Sequence, residues 1–354
     1  MTRRSVSNIK RLLVAGGCGF IGSRFVRSML ERAEWRVINL DKLTYAGNLE
    51  NLKGIVEGDH YRFVRGDIGD RTFVDELYDK ERPTAVVNFA AESHVDRSIL
   101  DPAPFFETNT IGVQVLLEGA RKHGVERFLQ VSTDEVYGDV EKMEPCDEEH
   151  RLAPSSPYAA SKASADHLTL SYKRTYGLPV LIVRSCNNYG PYQFPEKLIP
   201  FMIGNVMRGE DLPLYGDGMQ RREWIFVEDC VDAICRVLER GEDGEIYNIS
   251  TEDEHTNLAV IDLLCKLMAD EASMNVASLR NRIQFIGDRP GHDRRYATRA
   301  KKIREKLTWN PLVTFEVGLR KTIRWYLTNH EWVESVTSGA YRDYYDAVYV
   351  RSWG

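Results

Sequence analysis

A tyrosine and a lysine four residues apart, Tyr158 and Lys162, are the one Tyr-x-x-x-Lys pair in the chain. On a helix this spacing places both side chains on one face, so the lysine ammonium can stabilise a tyrosine phenolate. Because a free tyrosine has a pKa of about 10, a neighbouring cation is needed to bring that pKa towards neutral pH. The pair therefore predicts a general base that takes a proton from a hydroxyl group.

Two adjacent acidic residues, Asp134 and Glu135, follow Thr133 directly after an apolar run of strand length. At the carboxyl edge of a parallel sheet, where such folds bind ligands, the two carboxyl groups can act as an acid and a base. Their proximity favours one protonated and one ionised group. The structural alternative is a solvated pair that caps a helix, as acidic residues at strand ends often do.

Three glycines, Gly16, Gly19 and Gly22, follow the first apolar run and precede a helix that we expect from Ile21. Without a Cβ in the way, backbone N–H groups at such a helix N-terminus can approach a pyrophosphate. Asp41 ends the second apolar run, 19 residues after Gly22, where a carboxylate accepts hydrogen bonds from ribose hydroxyls and repels a 2′-phosphate. The pattern predicts a dinucleotide site that favours NAD over NADP, and a nicotinamide cation there would lower the tyrosine pKa further.

Seven short apolar runs supply the strands that position these residues. They do not alternate polar with apolar positions, which is typical of strands buried on both faces of a parallel sheet. With helical patterns between them, they predict a doubly wound, Rossmann-like α/β domain. Asp67 and Ile68 would lie near the adenine in this fold, although a turn role for Asp67 is an equal alternative. The runs are 11–15, 37–40, 61–64, 85–89, 128–131, 180–183 and 245–249.

The texture of the sequence changes after about residue 190, where prolines and glycines break the regular alternation. We therefore predict a smaller mixed lobe that binds the substrate, built from residues 190–235 and 251–354. Residues 1–189, together with about 236–250, form the NAD-binding Rossmann domain in this interpretation.

Composition excludes several classes of function. The chain has 354 residues and a net charge of -6, so no overall basic field exists to hold nucleic acid or an anionic membrane. No apolar run approaches the roughly 20 residues of a membrane-spanning helix. The six cysteines show no CxxC pair and no zinc-like spacing. We expect free thiols, no metal site and a cytoplasmic protein.

Six segments resemble those of the dTDP-glucose 4,6-dehydratase branch of the extended short-chain dehydrogenase/reductase family. Related epimerases and decarboxylases of sugar nucleotides usually lack the acidic pair, so this pair discriminates between the branches. Glu223 and Cys230 stand where the family has Asp and His. The segments are DKLTYAGN (41–48), AAESHVDRS (90–98), STDEVYG (132–138), PSSPY (154–158), NNYGPYQFPEKLIP (187–200) and DRPGHDRRY (288–296).

The resemblance implies an internal redox cycle on dTDP-glucose with tightly bound NAD. Tyr158 would take the proton of the C4 hydroxyl while hydride passes to the cofactor, with Thr133 and Lys162 orienting and polarising. Glu135 would then remove the C5 proton and Asp134 would protonate the departing C6 hydroxyl. The stored hydride would return to C6, which gives a 4-keto-6-deoxy sugar nucleotide and water.

The same resemblance implies two sets of binding residues. For the cofactor, they are Gly16, Gly19, Phe20, Ile21, Gly22, Asp41, Lys42, Leu43, Thr44, Asp67, Ile68, Ala90, Ala91, Ser93, Thr108, Tyr158, Lys162 and Asn188. For the substrate, they are His94, Thr133, Asn187, Lys197, Leu198, Tyr215, Arg222, Asn257, Arg289, His292 and Tyr349. An acidic protein that binds a diphosphate needs such convergent cations.

Two alternative enzymes remain open at this point, and one alternative without catalysis is excluded because its condition is not met. The chain could be a UDP-sugar 4,6-dehydratase, because the choice between thymine and uracil depends on room for one methyl group. A sugar-nucleotide 4-epimerase or decarboxylase would use the same Tyr158 and Lys162 but leave the acidic pair dispensable. A catalytically silent NAD-binding regulator would lack these groups. The family further implies a homodimer formed through the helix expected at 105–120 and the helix that carries Tyr158.

Overall fold

A parallel sheet of seven strands forms the centre of the molecule, in the order β10-β6-β5-β4-β1-β2-β3. The computed structural model describes residues 10–32 and 34–337. The order of the strands reverses between β1 and β4, the position at which doubly wound sheets bind dinucleotides. All seven apolar runs of the sequence lie in this sheet, which confirms the predicted fold class. The strands are β1 Lys10–Ala15, β2 Trp35–Asp41, β3 Tyr61–Arg65, β4 Ala85–Asn88, β5 Arg127–Thr133, β6 Val180–Ser185, β7 Asn187–Tyr189, β8 Leu212–Tyr215, β9 Arg221–Phe226, β10 Ile246–Ile249, β11 Glu254–Thr256 and β12 Ile283–Ile286.

Helices cover both faces of the large sheet. One face packs against α1, α8 and α11, and the other against α2, α5 and α6. The helices of the described residues are α1 Phe20–Glu31, α2 Arg71–Glu81, α3 Val95–Leu100, α4 Ala103–Phe106, α5 Val113–Lys122, α6 Pro157–Tyr176, α7 Leu198–Arg208, α8 Val227–Arg240, α9 Asn257–Ala272, α10 Val276–Arg280, α11 Lys301–Leu307, α12 Phe315–Thr328 and α13 His330–Val336.

Helix α6, which carries Tyr158 and Lys162, has strong signals at both ends. Ser156 caps its N-terminus, where the hydroxyl accepts a hydrogen bond from Ala159 N at 3.1 Å, and Pro157 occupies the first helical position. Gly177 ends the helix with φ at 73°. These caps fix where the first turn begins, and with it the position of Tyr158.

The chain between α4 and α5 continues as a widened helical turn over Glu107–Gly112. The segment from Ala103 to Lys122 is therefore one helical rod, longer than the predicted 105–120. Such widened turns often occur at functional sites, and this one contains Thr108, a predicted cofactor residue.

Two small sheets build the second lobe. One contains β11, β9 and β7, and the other pairs β12 with β8. Their apolar residues join α7, α9, α12 and α13 in a core separate from that of the large sheet.

Helix α8, Val227–Arg240, spans the domain boundary predicted at about residue 236. Helix α8 packs as a whole against α1 and the large sheet, because Cys230, Ile234 and Val237 lie in the core beneath that sheet. The chain then pairs β10 with β6, and α11 covers β10. We propose that the Rossmann unit takes up the chain again at Val227 and includes α11.

All six cysteines lie buried as free thiols. Burial raises the pKa of Cys18 and of Cys235 to about 12. None of the helices that the structure describes is long and apolar enough to cross a membrane.

Candidate active site

A cavity of about 360 Å³, here called the edge cavity, follows the carboxyl ends of the large sheet's strands. Its volume is within the range of ligand pockets. A neighbouring cavity of about 170 Å³, the lobe cavity, lies against the second lobe. Glu135, Asn187 and Lys197 line both. The two cavities therefore adjoin at the acidic pair.

All but one of the predicted cofactor residues line the edge cavity, as do Thr133, Asp134 and Glu135. The exception is Leu43. Its N–H donates to Asp41 Oδ1 at 2.8 Å, and with φ at 57° its side chain turns to the core beneath the sheet. The cofactor residues at the cavity are Gly16, Gly19, Phe20, Ile21, Gly22, Asp41, Lys42, Thr44, Asp67, Ile68, Ala90, Ala91, Ser93, Thr108, Tyr158, Lys162 and Asn188.

The predicted substrate residues gather around the lobe cavity. Thr133 lies in the edge cavity instead, beside the catalytic candidates. Tyr349 lies outside the described residues. Those at the lobe cavity are His94, Asn187, Lys197, Leu198, Tyr215, Arg222, Asn257, Arg289 and His292.

The three glycines of the first turn have different physical roles. Gly16 has φ at 78°, and a Cβ there would lie 2.5 Å from Ala90 N. A Cβ on Gly22 would lie 2.2 Å from Gly16 O. Gly19 meets nothing closer than 3.4 Å, so its missing side chain is not required by packing. Gly19 instead leaves the N-terminus of α1 open to the cavity.

Asp41 is a buried carboxylate at the end of β2. It accepts hydrogen bonds from Cys18 N and Leu43 N, each at 2.8 Å. Burial raises the pKa of Asp41, and the two backbone hydrogen bonds oppose this. Each carboxylate oxygen keeps a lone pair for a further donor. Beside it, the Lys42 ammonium forms an ion pair with Asp67 at 2.5 Å.

Tyr158 and Lys162 lie buried on the face of α6 that meets the sheet. Burial and then the charge of Glu135 raise the pKa of Tyr158, while Thr133 lowers it. The ammonium of Lys162 donates to Val131 O at 2.7 Å, and burial lowers its pKa to about 8. The lysine is held by the backbone of β5, at the strand end that carries Thr133.

Asp134 and Glu135 open a single helical turn directly after β5. Thr133 Oγ1 donates to Asp134 Oδ1 at 3.2 Å and accepts from Glu135 N at 3.3 Å. Asp134 is 2% exposed. Within the described residues, Asp134 Oδ2 and Glu135 Oε2 are shielded from solvent and have no hydrogen-bond partner. The solvated-cap alternative therefore does not describe this pair.

The charges around the two acids affect their pKa values differently. Burial, then the charges of Glu135 and Glu223, hold the pKa of Asp134 well above its usual range, and Arg222 opposes them. Burial also raises the pKa of Glu135, but the cations that oppose it are more numerous: Arg289, Lys197 and Arg222. The proton therefore favours Asp134, as an acid requires, and Glu135 is the better candidate for the base.

Cations line the lobe cavity in fixed positions. Arg222 donates to Asp293 O at 2.8 Å and stacks on Tyr296, with its guanidinium carbon 4.1 Å from the ring centre. The Lys197 ammonium donates to Ser93 O at 2.6 Å. Burial, then Arg289, lowers the pKa of His292 to about 4. An anion with several negative oxygens would meet these donors.

Sequence reasoning missed some residues of both cavity walls. Glu196 is 5% exposed and lies between the cavities, and Trp224 borders both. Glu92 borders the edge cavity and Tyr296 the lobe cavity. Glu92, Glu196 and Tyr296 lie within the family-like segments, and Trp224 lies two residues after Arg222, but the sequence carries no signal for which of their side chains face a cavity. Over the described ranges, no group of three His, Cys, Asp or Glu residues could hold a metal ion.

Comparison with known proteins places the chain among sugar-nucleotide enzymes. The family model for GDP-mannose 4,6 dehydratase matches residues 13–322. A dTDP-glucose 4,6-dehydratase of Salmonella typhimurium is 48% identical over 357 residues, which cover 96% of this chain and 99% of that protein.

Solved structures agree with this similarity. The crystal structure of DesIV, a dTDP-glucose 4,6-dehydratase of Streptomyces venezuelae with NAD bound, has a TM-score of 0.85 and 45% identity, covering 92% of this chain and 99% of that one. The UDP-glucose 4-epimerase of Thermotoga maritima has a TM-score of 0.82 and 31% identity, covering 90% and 99%. The fold is common to both enzymes, and the sequence is nearer to the dehydratase.

The buried carboxyl of Asp134 should lower stability at neutral pH. Because its pKa is raised in the folded protein, the wild type loses stability as pH rises from about 4 through the folded pKa. Asp134→Asn removes this loss. We expect the variant to be more stable than the wild type by about 1–3 kcal/mol at pH 8, with the difference shrinking towards pH 4. Urea unfolding at both pH values measures it.

The matched control is Asp59→Asn, which removes an exposed carboxyl. It should leave the free energy of unfolding nearly unchanged at both pH values. A gain for Asp134→Asn that is the same at pH 4 and pH 8 would contradict the electrostatic explanation.

Proposed function

The chain belongs to the dTDP-glucose 4,6-dehydratases, a branch of the extended short-chain dehydrogenase/reductase family, and we propose that it converts dTDP-glucose into dTDP-4-keto-6-deoxy-glucose and water. The observation that carries this proposal is the pair of buried Asp134 and half-buried Glu135 in one cavity with Tyr158 and Lys162. An oxidation of a hydroxyl needs a single base. The loss of water from the next two carbons needs a second base and an acid.

The edge cavity fits NAD as the cofactor. Gly19 leaves the N-terminus of α1 open for a pyrophosphate, and Asp41 keeps acceptor lone pairs for ribose hydroxyls. Lys42, which follows Asp41 in the chain, is engaged in an ion pair with Asp67 and is therefore less available to neutralise a 2′-phosphate, so NAD is favoured over NADP. NAD held there would supply the hydride acceptor for oxidation at C4 and the hydride donor for reduction at C6.

Tyr158 takes the proton from the C4 hydroxyl. Its burial disfavours the phenolate, so this base needs positive charge nearby when it acts. Lys162 supplies that charge from a position fixed by Val131 O. The hydroxyl of Thr133, at the end of the same strand, is placed to orient the C4 oxygen.

Glu135 and Asp134 remove water once C4 is a ketone. The ketone acidifies the proton on C5, and Glu135 accepts that proton. Burial raises the pKa of this base, and the cations Arg289, Lys197 and Arg222 oppose the rise. Asp134, whose pKa is raised by burial and by its acidic neighbours, gives its proton to the C6 hydroxyl as water leaves. The two residues thus divide the acid and base roles according to their surroundings.

The lobe cavity supports a thymidine diphosphate as the part of the substrate remote from the chemistry. Lys197, Arg222 and Arg289 line it and can bind two phosphates. Phe201, Met202, Pro213 and Leu214 form an apolar side of the same wall. An apolar wall favours a base with a methyl group by about 1–3 kcal/mol, so thymine is preferred to uracil.

The acidic pair also decides between the alternatives. A 4-epimerase or decarboxylase has no task for a second base and an acid whose burial is costly. A silent regulator has no reason to keep Tyr158, Lys162 and both acids in one cavity. A UDP-sugar dehydratase shares all the chemistry and differs only at the apolar wall.

Incubation with two substrates in parallel tests the proposal. The holoenzyme should convert dTDP-glucose into a 4-keto-6-deoxy product that proton NMR detects by its new C6 methyl group. Because discrimination depends on one methyl group, kcat/KM for UDP-glucose should be about 10- to 200-fold lower. Epimerisation at C4 without a methyl signal would refute the dehydratase assignment, and equal rates would refute the thymidine preference.

Glu135→Gln should separate oxidation from dehydration. The variant keeps Tyr158 and Lys162, so we expect transient NADH absorbance after dTDP-glucose is added. Loss of the base should slow formation of the methyl product by about 10²- to 10⁴-fold. Stopped-flow absorbance and NMR measure the two steps.

Two further variants serve as a contrast and a control for this experiment. Tyr158→Phe should abolish the NADH signal itself, whereas Glu141→Gln, which changes an exposed acid, should behave as the wild type. Dehydration at the wild-type rate in Glu135→Gln would rule out the assignment of the base.

We further propose that the protein acts in the cytoplasm as a homodimer. The free buried thiols are consistent with a reducing compartment. Three apolar side chains are exposed on the Ala103–Lys122 rod and the α3 helix before it: Leu100 at 64%, Phe106 at 39% and Ile111 at 54%. Exposed apolar side chains on the rod and on the adjoining α3 helix suggest the face that a second copy would cover.

Ile111→Arg should therefore break the dimer. A charged side chain at the centre of an apolar interface cannot be paired, so sedimentation velocity should show a shift from dimer to monomer at micromolar concentration. Leu312→Arg is the control, because Leu312 is 87% exposed in another part of the molecule. A monomeric wild type, or a dimer that persists in Ile111→Arg, would contradict the proposed interface.

A further inference from the structure

Asp96 is a buried carboxylate that the proposed reaction does not use. It lies in α3 and is 7% exposed. Its Oδ1 accepts a hydrogen bond from Arg289 Nη1 at 3.2 Å, and its Oδ2 accepts one from the Tyr215 hydroxyl at 3.1 Å. All three residues line the lobe cavity. One carboxylate therefore holds two of the side chains that we assign to the nucleotide.

An anion at this place opposes the binding of a diphosphate by its charge alone. The carboxylate of Asp96 is explained by its contact with Arg289, because this contact holds the guanidinium in place. The side chain of Arg289 is 11% exposed. A guanidinium has five N–H groups, and in the described part of the chain one of them, on Nη1, is engaged with Asp96. A long side chain held in this way loses less rotamer freedom when a phosphate binds to its remaining donors.

The helix that carries Asp96 also touches the catalytic groups. Ser98 Oγ accepts the backbone N–H of Tyr158 at 3.2 Å. Tyr215 and Arg289 belong to the second lobe, at β8 and after β12. The short α3 helix therefore connects the N-terminus of α6 with the cation of the lobe cavity, over a distance of two residues along the chain.

We propose that Asp96 is a positioning residue for the diphosphate of the substrate. It orients the guanidinium of Arg289 and the hydroxyl of Tyr215 before the substrate arrives, and it ties them to the helix that locates Tyr158. This inference rests on the proposed function, because it takes the lobe cavity as the nucleotide site. The residue acts through Arg289 and makes no contact with the reacting carbons.

Asp96→Asn tests the proposal in the NAD-loaded enzyme. Asparagine can accept from only one of the two donors, and its amide N–H₂ would face the other. We expect KM for dTDP-glucose to rise at least tenfold while kcat falls by less than threefold. The dissociation constant of dTDP, measured by calorimetry, should rise by a similar factor, whereas that of thymidine should change by less than twofold.

The phosphate dependence distinguishes positioning from a general structural role. Damage to the cavity would weaken dTDP and thymidine alike and would lower kcat and the midpoint of thermal unfolding together. Equal losses for both ligands, or no loss for either, would overturn the proposal. Asp96→Glu keeps the charge on a longer side chain and should restore part of the dTDP affinity. If Asp96→Asn fails to fold, the dTDP and thymidine affinities of Asp96→Glu decide the role of Asp96 instead.

The matched control is Asp101→Asn, which removes an exposed carboxylate just beyond the end of the same helix and should leave KM unchanged. Failure of the proposed function is a separate result. If wild-type enzyme does not turn over dTDP-glucose, that function is refuted, whereas the dTDP and thymidine affinities still decide the role of Asp96.

Discussion

The burial of two neighbouring carboxyl groups at the end of β5 is the constraint on which the site depends. Asp134 and Glu135 each have a solvent-shielded oxygen without a hydrogen-bond partner among the described residues, and burying such an oxygen costs folding free energy. A small apolar cluster that begins directly after the pair in the chain offsets part of this cost. In it Val136, Tyr137 and Cys146 pack with Ala297. The desolvation that weakens the fold is also the origin of the raised pKa values, and so of the acid–base division.

The two lobes contribute different parts of the chemistry, and α3 joins them. The large sheet and its helices carry the glycine turn, Tyr158 and the acidic pair, whereas the second lobe carries cations and an apolar wall. Asp96 reaches the lobe cavity, and its neighbour Arg97 donates to Glu196 at 3.3 Å. Glu196 also accepts from the Tyr45 hydroxyl at 3.0 Å, next to the edge cavity. A six-residue helix thus touches both binding regions.

Regular patterns made the fold and the core of the site predictable from the sequence. Continuous apolar runs indicate buried parallel strands, and the Ser156 and Gly177 caps mark the ends of α6 because cap residues have their own hydrogen-bond and backbone requirements. The contacts of single side chains have no such periodicity. Leu43 was placed at the cofactor and turns to the core instead, Lys162 bonds a backbone carbonyl, and Asp96 was not singled out at all.

The six buried cysteines have a practical consequence for spectroscopy. Burial raises the pKa of Cys146, Cys230 and Cys265 to about 11, so few thiolates exist at neutral pH and maleimide reagents should find little to modify. The native cysteines should therefore react little with a labelling reagent. One cysteine introduced on each lobe would carry a dye or spin label without first removing the native thiols, and the separation of the lobes could be followed through a catalytic cycle.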